Sequence, residues 1–202
     1  LHDAVMCSTT DDKETLEAAD IGEQLSDGKK EQVKKVLKEF EEVFSGKPGL
    51  TTLAEHKIVL TSSDPVRLKP YPVPYNMREA VDKEVQEMLK FGVIEPSESP
   101  YSSPLLLVRK KDGTNRPVID FRQLNKITVF DAEPMPSAEE TYSKLASAKF
   151  LTKLDFTKGY WQIPMRKEDK AKTAFTCGSG SFQFTRMPFG LVNSGAAYNR
   201  KI

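Results

Sequence analysis

The sequence is poor in metal-binding and disulfide-forming residues. Its two cysteines, Cys7 and Cys177, stand far apart and form no CxxC pair, and its only histidines are His2 and His56. This set predicts neither a zinc site nor a disulfide framework, and a reducing compartment fits it best.

Long apolar runs are also missing. No stretch approaches the about 18 apolar residues that a membrane-spanning helix needs. The first residues, LHDAVMCSTTDD, lack the basic and apolar regions of a signal peptide. We therefore expect an intracellular protein that is not secreted and has no membrane partner.

The charges nearly cancel. The 202 residues carry 30 Lys and Arg and a net charge of +1, so affinity for a polyanion must come from local clusters of cations. A hydrophobic content of 38% suffices for one core, or for one and a half small subdomains plus a lead. Because the sequence begins with Leu and stops inside a helical pattern, we expect a piece of a longer protein.

The amino-terminal part divides into three stretches. Residues 1–28 are polar and aperiodic, as in a flexible lead or linker. Residues 29–44 have helical apolar spacing, with Ser26 and Asp27 before them as candidate caps. After a predicted short strand at residues 56–60, four prolines between 65 and 74 favour an extended strap, although PxxP ligands look similar.

The next elements follow from local signals. Asn76 and Glu79 predict the start of a second helix, and Gly92 predicts its end. Ser137 is the candidate cap of a further helix that reaches residue 145. Residues 173–176 and 182–184 read as a strand pair.

A cationic hairpin is predicted at residues 105–121. Two strand-like runs, 105–110 and 116–121, are joined around Asp112-Gly113, which favours a tight reversal. Four cations surround this turn: Arg109, Lys110, Lys111 and Arg116. A triphosphate would relieve their mutual repulsion, and a solvated hairpin tip is an equally good local interpretation.

The stretch FLTKLDFTKGYWQIPM, residues 150–165, is the centre of the sequence. Period-two spacing predicts a strand with an apolar face, which would hold Asp155 on the opposite, wetter face. Gly159 then permits a close approach, and Tyr160 and Trp161 supply an aromatic wall. A nucleotide fits such a site, but by themselves these residues favour an ordinary strand and turn.

Four strings, taken together, resemble the reverse transcriptases of gypsy-type long-terminal-repeat retrotransposons over roughly residues 30–202. These strings are VRLKPYPVPYNMREAV, SPYSSPLLLVRKKDGTNRPVIDFRQLN, LDFTKGYWQI and RMPFGLVNSGAAYNR. The resemblance implies an α+β right-hand polymerase fold. Residues 29–75 would form a helical connector and strap, and residues 76–202 the fingers and an incomplete palm.

The resemblance also implies site residues. Asp155 would be catalytic and, with the backbone carbonyl of Phe156, would bind metal. Two Mg²⁺ ions are implied in the complete polymerase, with Mn²⁺ as an alternative. The implied nucleotide-binding residues are Lys110, Arg116, Lys158, Gly159, Tyr160, Phe189 and Gly190. Asn193 and Ser194 would lie near template and primer.

The sequence departs from the family pattern in several places. Asn115 and Pro117 replace the usual residues of the hairpin, which makes the placement of Arg116 less secure than that of Lys110. Gly195 replaces the usual proline in the first turn of the last helix, which should loosen its start, although Ser194 can still cap it. The family's aromatic-x-Asp-Asp string does not occur in the sequence. We therefore expect the fragment alone to be inactive.

In the parent protein, the resemblance implies RNA-directed DNA polymerase activity on an RNA or DNA template with a primer. The other implied partners are deoxynucleoside triphosphates and the remainder of the Pol polyprotein, in the cytoplasm or a virus-like particle. Two alternatives stay open. The chain could be a non-catalytic remnant that binds nucleic acid or protein, or an untranslated gene-model fragment.

Overall fold

The computed structural model describes residues 19–44, 46–109, 115–134 and 137–200, and only the backbone of Arg109, Asn115 and Arg116. The chain forms two compact units, Leu1–Pro48 and Gly49–Ile202.

The first unit contains helix α1, Asp27–Glu39, followed by a 3-10 turn, Glu41–Val43. The predicted helix is thus confirmed over most of its length. Ser26 is its N-cap, but the side chain makes no capping hydrogen bond. Instead, the Ser26 carbonyl accepts hydrogen bonds from the backbone N–H groups of Lys29 and Lys30.

The second unit begins with the extended strap and helix α2, Arg78–Lys90. The predicted Asn76 cap is wrong, because a 3-10 turn, Tyr75–Met77, takes up that position and Met77 is the N-cap. The predicted end is confirmed: Gly92 has φ +62° and its N–H donates to the Leu89 carbonyl, while Val93 N–H donates to Met88.

A mixed sheet of five strands forms the body of this unit. The strands are β1 Ile94–Pro96, β2 Ser103–Arg109, β3 Asn115–Ile119, β4 Phe175–Cys177 and β5 Gly180–Phe184, in the order β1-β5-β4-β2-β3. Both predicted strand pairs, β2 with β3 and β4 with β5, are confirmed as antiparallel. Pro117 lies on β3 at the sheet edge, where a missing backbone donor is tolerated.

The core lies between α2 and the sheet. Val81, Val85 and Met88 of α2 are buried with Phe175 of β4 and Phe184 of β5. The predicted strand at residues 56–60 is wrong. His56 and Leu60 each form a single isolated bridge, with Met165 and Thr128, so the backbone there joins no sheet among the described residues.

Short helices complete the unit. They are α3 Arg122–Lys126, α4 Ala138–Leu145, α5 Ser194–Asn199 and two 3-10 helices, Gly159–Gln162 and Lys167–Thr173. The Ser137 cap of α4 is confirmed, since its side chain accepts a hydrogen bond from Glu140 N–H at 3.1 Å. Across the described parts of the chain, no helix has the length and apolar character to cross a bilayer.

The predicted strand that ends at Asp155 is not formed. Residues 150–156 have no regular secondary structure and are exposed, including Phe150 at 61% and Leu154 at 67% of full accessibility. A strand exists only when its backbone groups pair with a neighbour. None of the five described strands pairs with this segment, so the alternating apolar pattern has no sheet to join.

Candidate nucleotide site

Asp155 leads into a tight backbone reversal. Lys158 adopts a left-handed conformation with φ 46°, and the N–H of Gly159 donates to the Phe156 carbonyl at 3.1 Å. The N–H of Trp161 then donates to the Lys158 carbonyl at 2.8 Å. Because a carbonyl oxygen has two lone pairs, the Phe156 oxygen keeps acceptor capacity beyond this turn.

An aromatic cluster surrounds the reversal. The Tyr160 ring stacks on Phe189, with the centroids 5.0 Å apart and the planes at 28°. Tyr198 of α5 meets Tyr160 edge-on at 5.2 Å and Phe156 edge-on at 6.3 Å. These contacts bring together the two predicted nucleotide-binding segments, around residues 158–160 and 189–190.

The close neighbour of Gly159 is Tyr198. A Cβ atom on Gly159 would lie 2.8 Å from Cζ and 2.9 Å from Cε2 of Tyr198, distances that real Cβ atoms essentially never show. The glycine therefore permits the approach of an aromatic ring from α5. The sequence analysis missed Tyr198, since an aromatic side chain in a short helix carries no local signal of this contact.

Lys158 is engaged on the side of α2. Its ammonium group lies 4.4 Å from the centre of the Trp161 ring and 5.6 Å from that of Phe91. It also lies 3.5 Å from a carboxylate oxygen of Glu87. This ion pair and the two ring contacts hold the side chain away from a free, solvated position, and its contact with a nucleotide stays a prediction.

Asp155 is exposed and close enough to Tyr198 to affect its titration. Burial raises the pKa of the Tyr198 hydroxyl, and the nearby charges of Asp155 and Tyr160 raise it further. The phenol therefore stays protonated at neutral pH. The aromatic cluster thus lies beside the carboxylate that we predict to be catalytic.

The oxygen donors at Asp155 suit a hard cation in part. Its carboxylate and the Phe156 carbonyl are ligand types that Mg²⁺ prefers. Within the described ranges, however, the structure gathers no three His, Cys, Asp or Glu residues that could hold a metal ion. These donors therefore fit part of a metal site and need further carboxylates to complete it.

The loop that carries Phe189 is fixed by Asn125. Gly190 has φ +91°, a conformation that favours glycine. The Asn125 side chain donates to the Gly190 carbonyl at 2.8 Å and accepts from the N–H of Val192 at 2.9 Å. Phe189 remains 50% exposed at the tip.

Asn193 and Ser194, the predicted template–primer residues, use their side chains within the protein. Asn193 donates to the Val129 carbonyl at 2.8 Å and accepts from the Asp131 N–H at 3.0 Å. The Ser194 hydroxyl donates to the Pro188 carbonyl at 3.0 Å. The predicted Ser194 cap is wrong: Asn193 is the N-cap of α5, because the serine side chain turns into the loop.

Arg200 also joins the end of α5 to the segment that contains Asp131 and Glu133. Its guanidinium donates to Asp131 at 2.8 and 2.9 Å, and its Nε donates to Glu133 at 2.8 Å. The hydrogen bond from Arg200 lowers the pKa of Asp131. Together with Asn125 and Asn193, Arg200 fixes residues 125–133 against residues 188–200.

The predicted triphosphate contacts belong to the hairpin residues Lys110 and Arg116. Lys110 lies outside the described residues. The backbone of Arg116 lies in β3 opposite Val108, as the hairpin prediction requires. The roles of Lys110 and Arg116 stay predictions.

The family of this chain follows from its similarity to known proteins. The family model described as reverse transcriptase (RNA-dependent DNA polymerase) matches residues 108–202. The retrovirus-related Pol polyprotein from transposon opus of Drosophila melanogaster is 40% identical over 186 residues, covering 87% of this chain and 18% of the relative. The chain belongs to the reverse transcriptase family.

Other relatives agree with this placement. The Pol polyprotein from transposon gypsy of Drosophila melanogaster is 42% identical over 147 residues, 69% of this chain and 14% of that protein. The prototype foamy virus protease–reverse transcriptase has a similar fold, with a TM-score of 0.77 and 27% identity over 88% of this chain and 24% of that one. The predicted α+β polymerase fold is confirmed, and this reverse transcriptase chain spans less than a fifth of both curated relatives.

Proposed function

We propose that this chain forms the fingers and first part of the palm of an RNA-directed DNA polymerase from a gypsy-type retrotransposon Pol polyprotein. The observation that carries the proposal is the stacking of Tyr160 on Phe189 at 5.0 Å, in an aromatic cluster whose third ring, Tyr198, lies near enough to Asp155 to feel its charge. It joins two sequence segments of the family into one half-exposed aromatic surface next to a carboxylate. A sugar and base are the groups such a surface fits.

We place the connector at residues 29–75 and the fingers and palm at residues 76–202, after a lead at 1–28. Contacts made by the extended strap support its packing on the polymerase body. Arg67 in the strap bridges Ser102, and its Nε donates to the Pro100 carbonyl at 2.9 Å. The compact unit begins earlier, at Gly49, so the strap folds with the polymerase.

In the reaction that we propose, the primer 3′ oxygen attacks the α-phosphate of a deoxynucleoside triphosphate and loses its proton to solvent. The bond from the α-phosphorus to the oxygen that bridges to the β-phosphate breaks, and pyrophosphate leaves. The complete polymerase would bind two Mg²⁺ ions, or Mn²⁺ in their place. They would stabilise charge on the attacking and leaving oxygens. From this chain, Asp155 and the Phe156 carbonyl would hold the metal. Tyr160 and Phe189 would orient the sugar and base, while Lys110 and Arg116 would bind the triphosphate.

We further propose a template–primer duplex as the nucleic-acid partner. A foamy virus protease–reverse transcriptase with the same fold was solved in complex with an RNA/DNA hybrid, with a TM-score of 0.72 to this chain. With a net charge of +1, contacts to phosphates must come from local cations. The remainder of the Pol polyprotein would be the other partner, in the cytoplasm or a virus-like particle.

A non-catalytic remnant that binds nucleic acid or protein is the second candidate. Residues 150–156 are exposed and have no regular secondary structure, which favours this candidate, because a catalytic carboxylate needs a rigid support. The two functions differ in one respect. The polymerase requires Asp155, whereas binding by a remnant does not.

Primer extension tests the proposal. We expect no extension by residues 1–202, and Mg²⁺-dependent extension by a longer chain that continues through an aromatic-x-Asp-Asp string. Asp155→Asn should abolish extension by the longer chain, while Asp64→Asn, an exposed control, should not. Inactivity of the longer chain, or full activity of its Asp155→Asn variant, would contradict the polymerase assignment.

A further inference from the structure

Tyr198 packs against three residues that follow Asp155, namely Phe156, Gly159 and Tyr160. Its ring meets Tyr160 at 5.2 Å with the planes at 62°, and it meets Phe156 at 6.3 Å with the planes at 89°. Tyr198 is also the residue that closes over Gly159. One side chain of α5 therefore contacts three successive features of the segment that follows Asp155.

Tyr160 lies between two rings. Phe189 stacks on it at 5.0 Å, and Tyr198 meets it edge-on. Phe189 is 50% exposed at the tip of its loop, whereas Tyr198 is partly buried within the packed cluster. Of the two neighbours, Tyr198 is therefore the more firmly held support for the Tyr160 ring.

We propose that Tyr198 is a positioning residue that holds Tyr160 in place and thereby sets the discrimination between deoxyribonucleotides and ribonucleotides. This inference rests on the polymerase function proposed above. A ring excludes a 2′ hydroxyl only while it stays where that hydroxyl would lie. Without Tyr198, Tyr160 gains rotamers and the space beside Gly159 opens, so the exclusion weakens although Tyr160 is still present.

The ring of Tyr198 is the part that matters for this role. Tyr198→Phe keeps the edge-on contacts with Tyr160 and Phe156, and it should retain discrimination within about twofold of the unaltered protein. Tyr198→Ala removes both contacts. An aromatic pair of ordinary strength corresponds to a change of about three- to tenfold in an equilibrium, and we expect ribonucleotide use relative to deoxynucleotide use to rise by about that factor.

The first test needs no nucleotide and uses the 202-residue chain. Gly159→Ala should lower the folding equilibrium constant, because the new methyl group meets the hydroxyl of Tyr198 and the ring carbons next to it. In a Tyr198→Ala background, the factor by which Gly159→Ala lowers the folding equilibrium constant should be at least about ten times smaller. If Gly159→Ala alone does not fold, recovery of folding in the double variant supports the contact. An equal cost in both backgrounds, or no recovery, overturns it.

The second test uses the longer polymerase chain that contains these residues. The measurement is kcat/KM for a deoxynucleotide and for its ribonucleotide, in the unaltered protein and in Tyr198→Ala, Tyr198→Phe and Tyr142→Ala. Tyr142 lies on α4 and is 71% exposed, so its variant is the matched control. Selective gain of ribonucleotide use in Tyr198→Ala alone supports the proposal.

A merely structural role for Tyr198 gives a different result. Both substrates would then lose activity in proportion, the ratio would stay unchanged, and the proposal would be overturned. If the longer chain extends no primer at all, the polymerase function fails. The comparison of Gly159→Ala with and without Tyr198→Ala still decides whether Tyr198 positions the segment that follows Asp155.

Discussion

Asn125 holds Gly190 through a side-chain hydrogen bond of 2.8 Å that spans 65 positions of the sequence. The same side chain accepts from the Val192 N–H at 2.9 Å, so one amide satisfies both a carbonyl and an N–H of the loop. The position of Phe189, and with it the stack on Tyr160, therefore depends on a residue of α3.

Asn125→Ala should lower the free energy of unfolding by about 1 to 3 kcal/mol, because both loop groups lose their partner. Urea unfolding of the 202-residue chain measures this loss. Asn199→Ala, on an exposed position of α5, is the control and should stay within about 0.5 kcal/mol. Equal effects at the two positions would show that Asn125 does not hold the loop.

His56 should make stability depend on pH. Burial lowers its pKa to about 4, although the negative charges of Asp169 and Asp131 oppose this shift. Between pH 4 and 6.5 the unfolded state then binds more protons than the folded state, so stability falls as the pH falls. From pH 7 to pH 5 the expected loss is about 2 kcal/mol.

Unfolding at the two pH values checks this expectation, with His56→Gln as the comparison. That variant should lose most of the difference between pH 7 and pH 5, whatever its absolute stability. The other titratable groups are common to both proteins, so the comparison isolates the contribution of His56. A slope that survives in His56→Gln would have another origin.

Lys110 and Arg116 should bind the triphosphate in the complete polymerase. Lys110→Ala and Arg116→Ala should each raise the KM for deoxynucleotide, since a charge-assisted hydrogen bond contributes about 1.5 to 3 kcal/mol. The control is Lys83→Ala on the exposed face of α2. An unchanged KM in both hairpin variants would contradict the assignment.

Tyr160 should itself exclude ribonucleotides from the nucleotide site. Tyr160→Ala removes the ring that we expect to occupy the space of a 2′ hydroxyl, so ribonucleotide incorporation should rise more than deoxynucleotide incorporation falls. The ratio of the two kcat/KM values in the longer chain measures this change. The same ratio before and after the substitution would exclude a gate at Tyr160.

The sequence by itself determined the elements whose cause is local. Ser137 caps α4 because its hydroxyl reaches the N–H of Glu140 in the same turn. Gly92 ends α2 because it adopts a positive φ at the helix end. The β2–β3 and β4–β5 pairs follow from strand-like runs that only a few residues separate in the sequence. The family strings were also readable in order, and they identified the fold class before any contact was known.

Only the tertiary structure decided the contacts between distant residues. The alternating pattern of residues 150–156 satisfies the local rule for a strand, yet a strand needs a partner, and no described strand pairs with it. Likewise, Gly159 reads as an opening for a ligand, and the fold brings Tyr198 into that opening. Periodicity reports which way a side chain points along its own segment. The neighbour that it meets there is set by long-range packing.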